Sequence, residues 1–357
     1  MPMSEGVSIV KSPLRPSVVL VAGMLLLAAC QASASGSPSG SEAAPSGDEL
    51  AGDIQVSGSS TVKPITSLVA EAFGAMHPNV SYFVDGPGTG DGFALFCNDE
   101  TDISDASRPI SDDEIALCED AGVEYVELKV AIDGMAVITS AFNDDATCMS
   151  FLDLYVLLGP ESQGFETWDA ANDLAAELEG QLHTEFGDSH APYGAFPLDV
   201  TAPGEESGTF DSFVELAISG IADAREQERT TRPDYTPSGD DNVIIEGVAG
   251  TEDAPHTLGW VGFAYADENS ERVQLLEVDQ GDGCVAATPE TIASAEYPLA
   301  RFLYIYVNTG RADANPALEA FVDYYLSDEG MAFVTEADYV ALDPADLDET
   351  RAAWEGR

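Results

Sequence analysis

The chain has 357 residues, with 65 Asp and Glu against 13 Lys and Arg, a formal net charge of −52. A field of that sign excludes nucleic acid as a partner, because phosphate backbones are bound by clustered Lys and Arg. It also keeps a chain soluble at high ionic strength, where salt screens its self-repulsion.

Lys11 and Arg15 precede an apolar run from Val18 to Ala29. That run is too short to span a bilayer, so residues 1–29 are expected to be a secretion signal. It ends in Leu27-Ala28-Ala29-Cys30, which resembles the lipobox of bacterial lipoproteins. The resemblance implies cleavage before Cys30, a lipid on its sulfur and a membrane anchor. Residues 31–50 hold no aromatic or β-branched side chain and cannot bury enough apolar surface to fold. Residues 30–51 are therefore expected to be a flexible tether, with a reach of roughly 25 Å. The rest of the chain exceeds the size at which one core usually splits, which predicts two domains.

Short strands then alternate with helical patterns. Ile54–Val56 reads as a strand, Gly58-Ser59-Ser60-Thr61 as a turn, and Val62–Met76 as an amphipathic helix with apolar Ile65, Leu68, Val69, Ala72 and Phe73. Val80–Val84 is a second strand, followed by the glycine-rich loop Gly86–Gly92 and a helical segment to Phe96. Strand, turn, helix, strand is the signature of a mostly parallel α/β sheet. Val123–Val130 and Met135–Thr139 read as two strands joined by Asp133-Gly134, and Phe151–Leu158 as a short helix. Ser207–Ile218 repeats the turn-then-helix pattern. Thr257–Phe263 and Phe302–Val307 are strand-like, Pro316–Leu326 is helical, and Arg351–Trp354 adds a final turn.

Three turns rich in glycine and hydroxyls carry the chemistry: Gly58–Thr61, Thr101–Pro109 and Glu206–Phe210. Two of them open helices, whose first N–H groups lack intrahelical partners and face outward with the positive end of the helix dipole, which favours an anion. Each turn taken alone is also an ordinary helix cap. The middle turn adds Arg108, whose guanidinium can give two parallel hydrogen bonds to a tetrahedral oxyanion or else pair with a nearby acid such as Asp102 or Asp105. Catalysis is not expected. The run Gly204–Gly208 departs from the G-x-S-x-G nucleophile elbow, and no histidine has the context of a base.

After Cys30 the cysteines are Cys97, Cys118, Cys148 and Cys284, an even number, which in an exported chain favours disulfides. Cys97 and Cys118 are close in sequence and flank the second turn, which pairs them and leaves Cys148 with Cys284. No CxxC or Cys/His cluster appears in the sequence, so neither a metal site nor a cofactor is expected.

Taken in order, Gly58–Ile65, Gly88–Phe93, Asp102–Ile110, Asp133–Val137, Ser207–Asp211 and Leu258–Ala266 resemble the phosphate-binding subunit of the bacterial phosphate ABC transporter. Tyr235–Asn242, Asp282–Val285 and Tyr304–Val307 resemble a cysteine-containing branch of that family. The resemblance implies a two-lobed, class II periplasmic-binding-protein fold of α/β lobes joined by two strands. Lobe I would hold 52–137 and 295–357, and lobe II 138–294. It implies a monomer that binds inorganic phosphate and hands it to membrane permease subunits. Phosphate contacts carried over from the family fall on Ser60, Thr61, Thr89, Gly90, Ser107, Arg108, Ser207, Gly208 and Thr209.

Two departures stand out. Many members carry an Arg shortly before Ser-Gly-Thr, where this chain has Ala202-Pro203-Gly204-Glu205-Glu206. Many also carry a carboxylate where Ser107 stands, to accept the proton of hydrogen phosphate; Asp91, Asp105 and Glu206 are the candidates for that role here. The rival readings are a receptor for another oxyanion such as sulfate or molybdate, a phosphoester-cleaving enzyme, and an adhesion or signalling protein on the same scaffold.

Overall fold

The computed structural model describes residues 50–205 and 207–357. The expected signal, Cys30, most of the tether and Glu206 lie outside the described residues. The strands are β1 (Ala51–Gly58), β2 (Asn79–Asp85), β3 (Ile103–Ala106), β4 (Tyr125–Ser140), β5 (Cys148–Ser150), β6 (Asp199–Ala202), β7 (Thr236–Pro237), β8 (Thr257–Gly262), β9 (Val273–Leu275), β10 (Glu277–Asp279), β11 (Cys284–Val285) and β12 (Ala300–Asn308). One mixed sheet runs β2-β1-β3-β12-β4-β8-β6-β7, with β9 beside β4, and a small one runs β11-β10-β5. The helices that position the site are α1 (Lys63–Met76), α2 (Thr89–Cys97), α3 (Asp112–Ala121), α4 (Phe151–Leu158), α5 (Asn172–Phe186) and α6 (Gly208–Phe213).

Alternating side chains explain the layering of the first half of the sheet. Ile54, Val56, Ile103, Ile305 and Val307 join a core with Ile65, Val69 and Phe73 of α1 and with the helix Pro316–Tyr325. Tyr304, Tyr306 and Ala106 point the other way, toward Phe93, Phe96 and the Cys97–Cys118 disulfide between α2 and α3. Each fully buried aromatic or large aliphatic side chain contributes about 1.5–3 kcal/mol. The second half repeats the plan, with Ile244, Ile245 and Val248 of the helix Asp241–Ala249 against Ile138 and Val261. The second expected disulfide, Cys148–Cys284, joins β5 to β11.

The sequence pattern for two strands around Asp133-Gly134 is corrected here. The chain runs as one 16-residue strand, because Asp133 and Gly134 stay in the ladder opposite Arg301 and Ala300. Glycine at 134 provides room rather than a turn, since a Cβ there would meet the Ile292 side chain at 2.7 Å. β4 pairs with β12 as far as Gly134 and with β8 from Met135 onward. The Met135 N–H donates to the Leu299 carbonyl, so the approach to β12 runs beside β4 at the same place. Two adjacent segments thus link the two halves of the sheet. The expected last turn is also longer: it is the end of a helix over Pro344–Glu355, capped by the Asp343 carboxylate.

Candidate functional site: a hydroxyl-lined anion cleft

β1 is parallel to both β2 and β3, so Gly58, Asp85 and Ala106 leave the sheet at one edge, where α/β sheets hold ligands. The turns that follow these strands are stitched together by backbone bonds. The Ser59 N–H donates to the Asp105 carbonyl at 2.8 Å, and the Gly88 N–H donates to the Gly58 carbonyl at 2.9 Å. Gly58 is required by this approach: its φ is +152° and a Cβ would lie 2.0 Å from the Asp105 carbonyl oxygen.

The Ser59 hydroxyl accepts the Thr61 N–H at 3.2 Å, and α1 carries no side-chain cap. Ser60 and Thr61 are therefore not used as caps. Thr89 Oγ1 accepts the Ser107 N–H at 3.2 Å and lies 3.0 Å from Ser107 Oγ, which joins the second and third loops through two predicted site residues. Gly90 lies beside Arg108, whose Nη2 is 4.0 Å from the position a Cβ would take.

Arg108 itself forks onto Glu114, with 2.8 Å from each Nη to a carboxylate oxygen, and its guanidinium sits 5.6 Å from the Phe93 ring centroid. Its partner is neither Asp102 nor Asp105. Asp102 binds the Gln55 N–H and Arg311, while Asp105 accepts from the Thr66 hydroxyl. Burial raises the Glu114 carboxyl, but the bonds from Arg108 and Ser111 outweigh it and hold its pKa below the ordinary value.

On the other half, the Ser207 hydroxyl accepts the Thr209 N–H at 3.2 Å and caps α6. Ser207, Gly208 and Thr209 line a cavity of about 180 Å³ together with Pro64 of α1, Asp133 and Tyr339. The third turn thus faces the first turn of α1 across this cavity through Pro64, although none of Gly58–Thr61 lines it.

Two charged residues at this cleft were missed by the sequence reading. Arg301 has only 11% of its side chain exposed; Nη1 lies 2.8 Å from Glu215, Nε donates to Asp133 at 3.2 Å and Nη2 to the Ser212 hydroxyl at 3.3 Å. Glu215 in turn faces the middle turn: its carboxylate accepts from the Ser107 hydroxyl at 3.4 and 3.5 Å. Arg301 comes from the start of β12, where nothing in the local pattern separates it from a strand-edge cation. Glu215 lies in a π-helical segment, Val214–Ile218, that continues α6. Such widened turns recur at functional sites because they redirect side chains.

The three acids proposed from the sequence as the proton acceptor fall in different places. Asp91 is exposed on α2, and Glu206 is outside the described residues. Asp105 is sealed in the core against α1, and burial raises its carboxyl to about 8, with the Thr66 bond pulling the other way. Asp211, one turn before Glu215, is raised by burial and by the Glu215 charge.

A mixed α/β sheet with hydroxyl turns at its strand ends and a shared central strand defines a two-lobed solute-binding architecture. The chain belongs to the family of the PBP superfamily domain, whose model matches residues 39–329. It is 38% identical over 290 residues to protein SphX of Synechocystis sp., covering 81% of this chain and 78% of that one. It is 28% identical over 321 residues to the phosphate-binding protein PstS of Staphylococcus epidermidis, covering 89% and 85% of the two chains. Among solved structures it resembles "a possible phosphate binding protein" from Planctomyces limnophilus, with a TM-score of 0.74, 32% identity, and coverage of 86% and 99%. No helix among the described residues is long and apolar enough to cross a membrane.

Proposed function

We propose that this chain is a lipid-anchored extracytoplasmic receptor for inorganic phosphate, which it delivers to the permease of an ABC importer. The observation that carries the reading is the convergence of Ser107, held by Thr89, with Glu215 and Arg301, whose guanidinium also reaches Ser212 of α6 and Asp133 of the cavity lined by Ser207–Thr209. The names of the relatives support phosphate as the solute. Phosphate is held by Ser60, Thr61, Thr89, Gly90, Ser107 and Arg108 on one side and by Ser207, Gly208 and Thr209 on the other. Hydrogen bonds to a charged ligand contribute about 1.5–3 kcal/mol each, so half a dozen support micromolar or tighter binding.

Glu215 supplies the selectivity. Hydrogen phosphate carries an O–H that can donate to this carboxylate, whereas fully ionised sulfate has none and meets like charge. Arg301 stands in for the base that is missing before Ser207. The monomer closes as lobe I (52–137 with 295–357) swings against lobe II (138–294), bending where β4 changes partner at Gly134–Met135. Cys30 anchors the tether. The names of its relatives support a binder rather than an enzyme, and the Ser207 hydroxyl is engaged as the cap of α6. Calorimetry of the domain with phosphate, sulfate and molybdate tests the reading; the expected result is phosphate alone binding at micromolar or tighter, and equally tight sulfate would refute it.

A further inference from the structure

A cavity of about 560 Å³ that shares no lining residue with the cavity at Ser207–Thr209 is walled by Trp168, Tyr193, Phe196 and the Cys148–Cys284 disulfide. Its polar corner is built around Asp153, the N3 residue of α4's capping box, whose side chain is fully buried. Asp153 Oδ1 accepts from the Ser189 hydroxyl, the His190 N–H and the Tyr193 hydroxyl. Its Oδ2 accepts from the Ser150 N–H and hydroxyl and sits 2.5 Å from His190 Nδ1. The carboxylate therefore fixes the imidazole ring and commits Nδ1, which leaves Nε2 as the ligand atom.

His190 and the two sulfurs offer ligand atoms that all lie within 4.8 Å of one another. This disulfide is also the accessible one. Cys284 is exposed and Cys148 half-buried, whereas Cys97 and Cys118 are fully buried. Exposed disulfides are the labile and regulatory ones.

We propose that reduction of Cys148–Cys284 by a dithiol turns this corner into a binding site for a zinc-class divalent cation, held by the two thiolates and His190 Nε2. The dithiol is oxidised to its disulfide as the protein sulfurs gain two electrons and two protons; the cation then displaces those two protons as it binds. Three protein ligands with a fourth position open to the cavity is a known zinc arrangement, and a carboxylate behind the imidazole is the usual orienting partner. Sequence spacing gave no Cys/His cluster; the fold assembles one from β5, β11 and the loop after α5. The inference is independent of the phosphate reading.

The test is anaerobic Co²⁺ titration of the full chain reduced with a phosphine, followed by Zn²⁺ competition. The expected result is a thiolate-to-cobalt charge-transfer band saturating at one equivalent, absent in the oxidised protein and in Cys148→Ser/Cys284→Ser. The band should persist in Cys97→Ala/Cys118→Ala, and His190→Ala should weaken Zn²⁺ binding by at least about tenfold. No band in the reduced protein, a band that survives Cys148→Ser/Cys284→Ser, or an affinity unchanged by His190→Ala would overturn the proposal. So would loss of the native circular dichroism spectrum on reduction.

Discussion

The Ser107 hydroxyl donates to the Glu215 carboxylate, 3.4 Å away in space and 108 positions away in sequence. This contact joins the turn after β3 to the widened helix after α6, and so crosses from one half of the sheet to the other. Under the proposed function, Glu215 is the acceptor for the proton of hydrogen phosphate.

Glu215→Gln keeps the size of the side chain and removes the charge that repels sulfate. One charge-assisted hydrogen bond contributes about 1.5–3 kcal/mol, so phosphate affinity is expected to fall roughly ten- to hundredfold while sulfate affinity holds or rises. Calorimetry with both anions reads the ratio, and an unchanged ratio assigns selectivity elsewhere.

Arg301→Met is expected to damage both folding and binding. Its buried guanidinium is paired with Asp133 and Glu215, and removing one partner of a buried charge network costs about 3–5 kcal/mol. The urea midpoint should fall accordingly, and phosphate binding should be lost under conditions where the variant is still folded. A folded variant with wild-type phosphate affinity would remove Arg301 from the site.

Arg108→Ala is expected to weaken phosphate binding at least about tenfold through loss of one charged donor. Glu114→Gln provides the opposite sign. Gln preserves the capping box of α3 with Ser111 but releases the guanidinium from its carboxylate partner, so phosphate affinity should rise. A Glu114→Gln variant that binds more weakly than wild type would show that the Arg108–Glu114 pair acts as a unit.

Asp105 makes stability depend on pH. In the folded chain burial raises its carboxyl from the ordinary 3.8 to about 8, so within that window the native state holds a proton that the unfolded chain releases. The unfolded state binds fewer protons there, and this group's contribution to stability declines as pH rises from about 4 to about 8. Asp105→Asn imitates the neutral form and should gain stability relative to wild type between pH 5 and pH 8. Parallel urea midpoints for the two proteins across that range would exclude the effect.

The sequence by itself determined the elements whose signals are local. Ile65, Val69 and Phe73 recur at the helical period and are buried in α1. Glycines and hydroxyls mark the turns after β1 and before α6, and the spacing of Cys97 and Cys118 foretold their bond. What failed locally failed for one reason: Asp133-Gly134 has turn chemistry, but a partner strand arriving from residues 300–308 holds it extended. The pairing of charges in the cleft was decided by tertiary structure alone. Glu114 was chosen as the partner of Arg108, Arg301 was drawn from the start of β12 into the cleft, and Glu215 was turned toward Ser107. Hydrogen-bonding capacity is written in residue type and spacing, whereas charge pairing depends on which of many acids the fold brings within about 4 Å, and in a chain this acidic no local pattern singles one out.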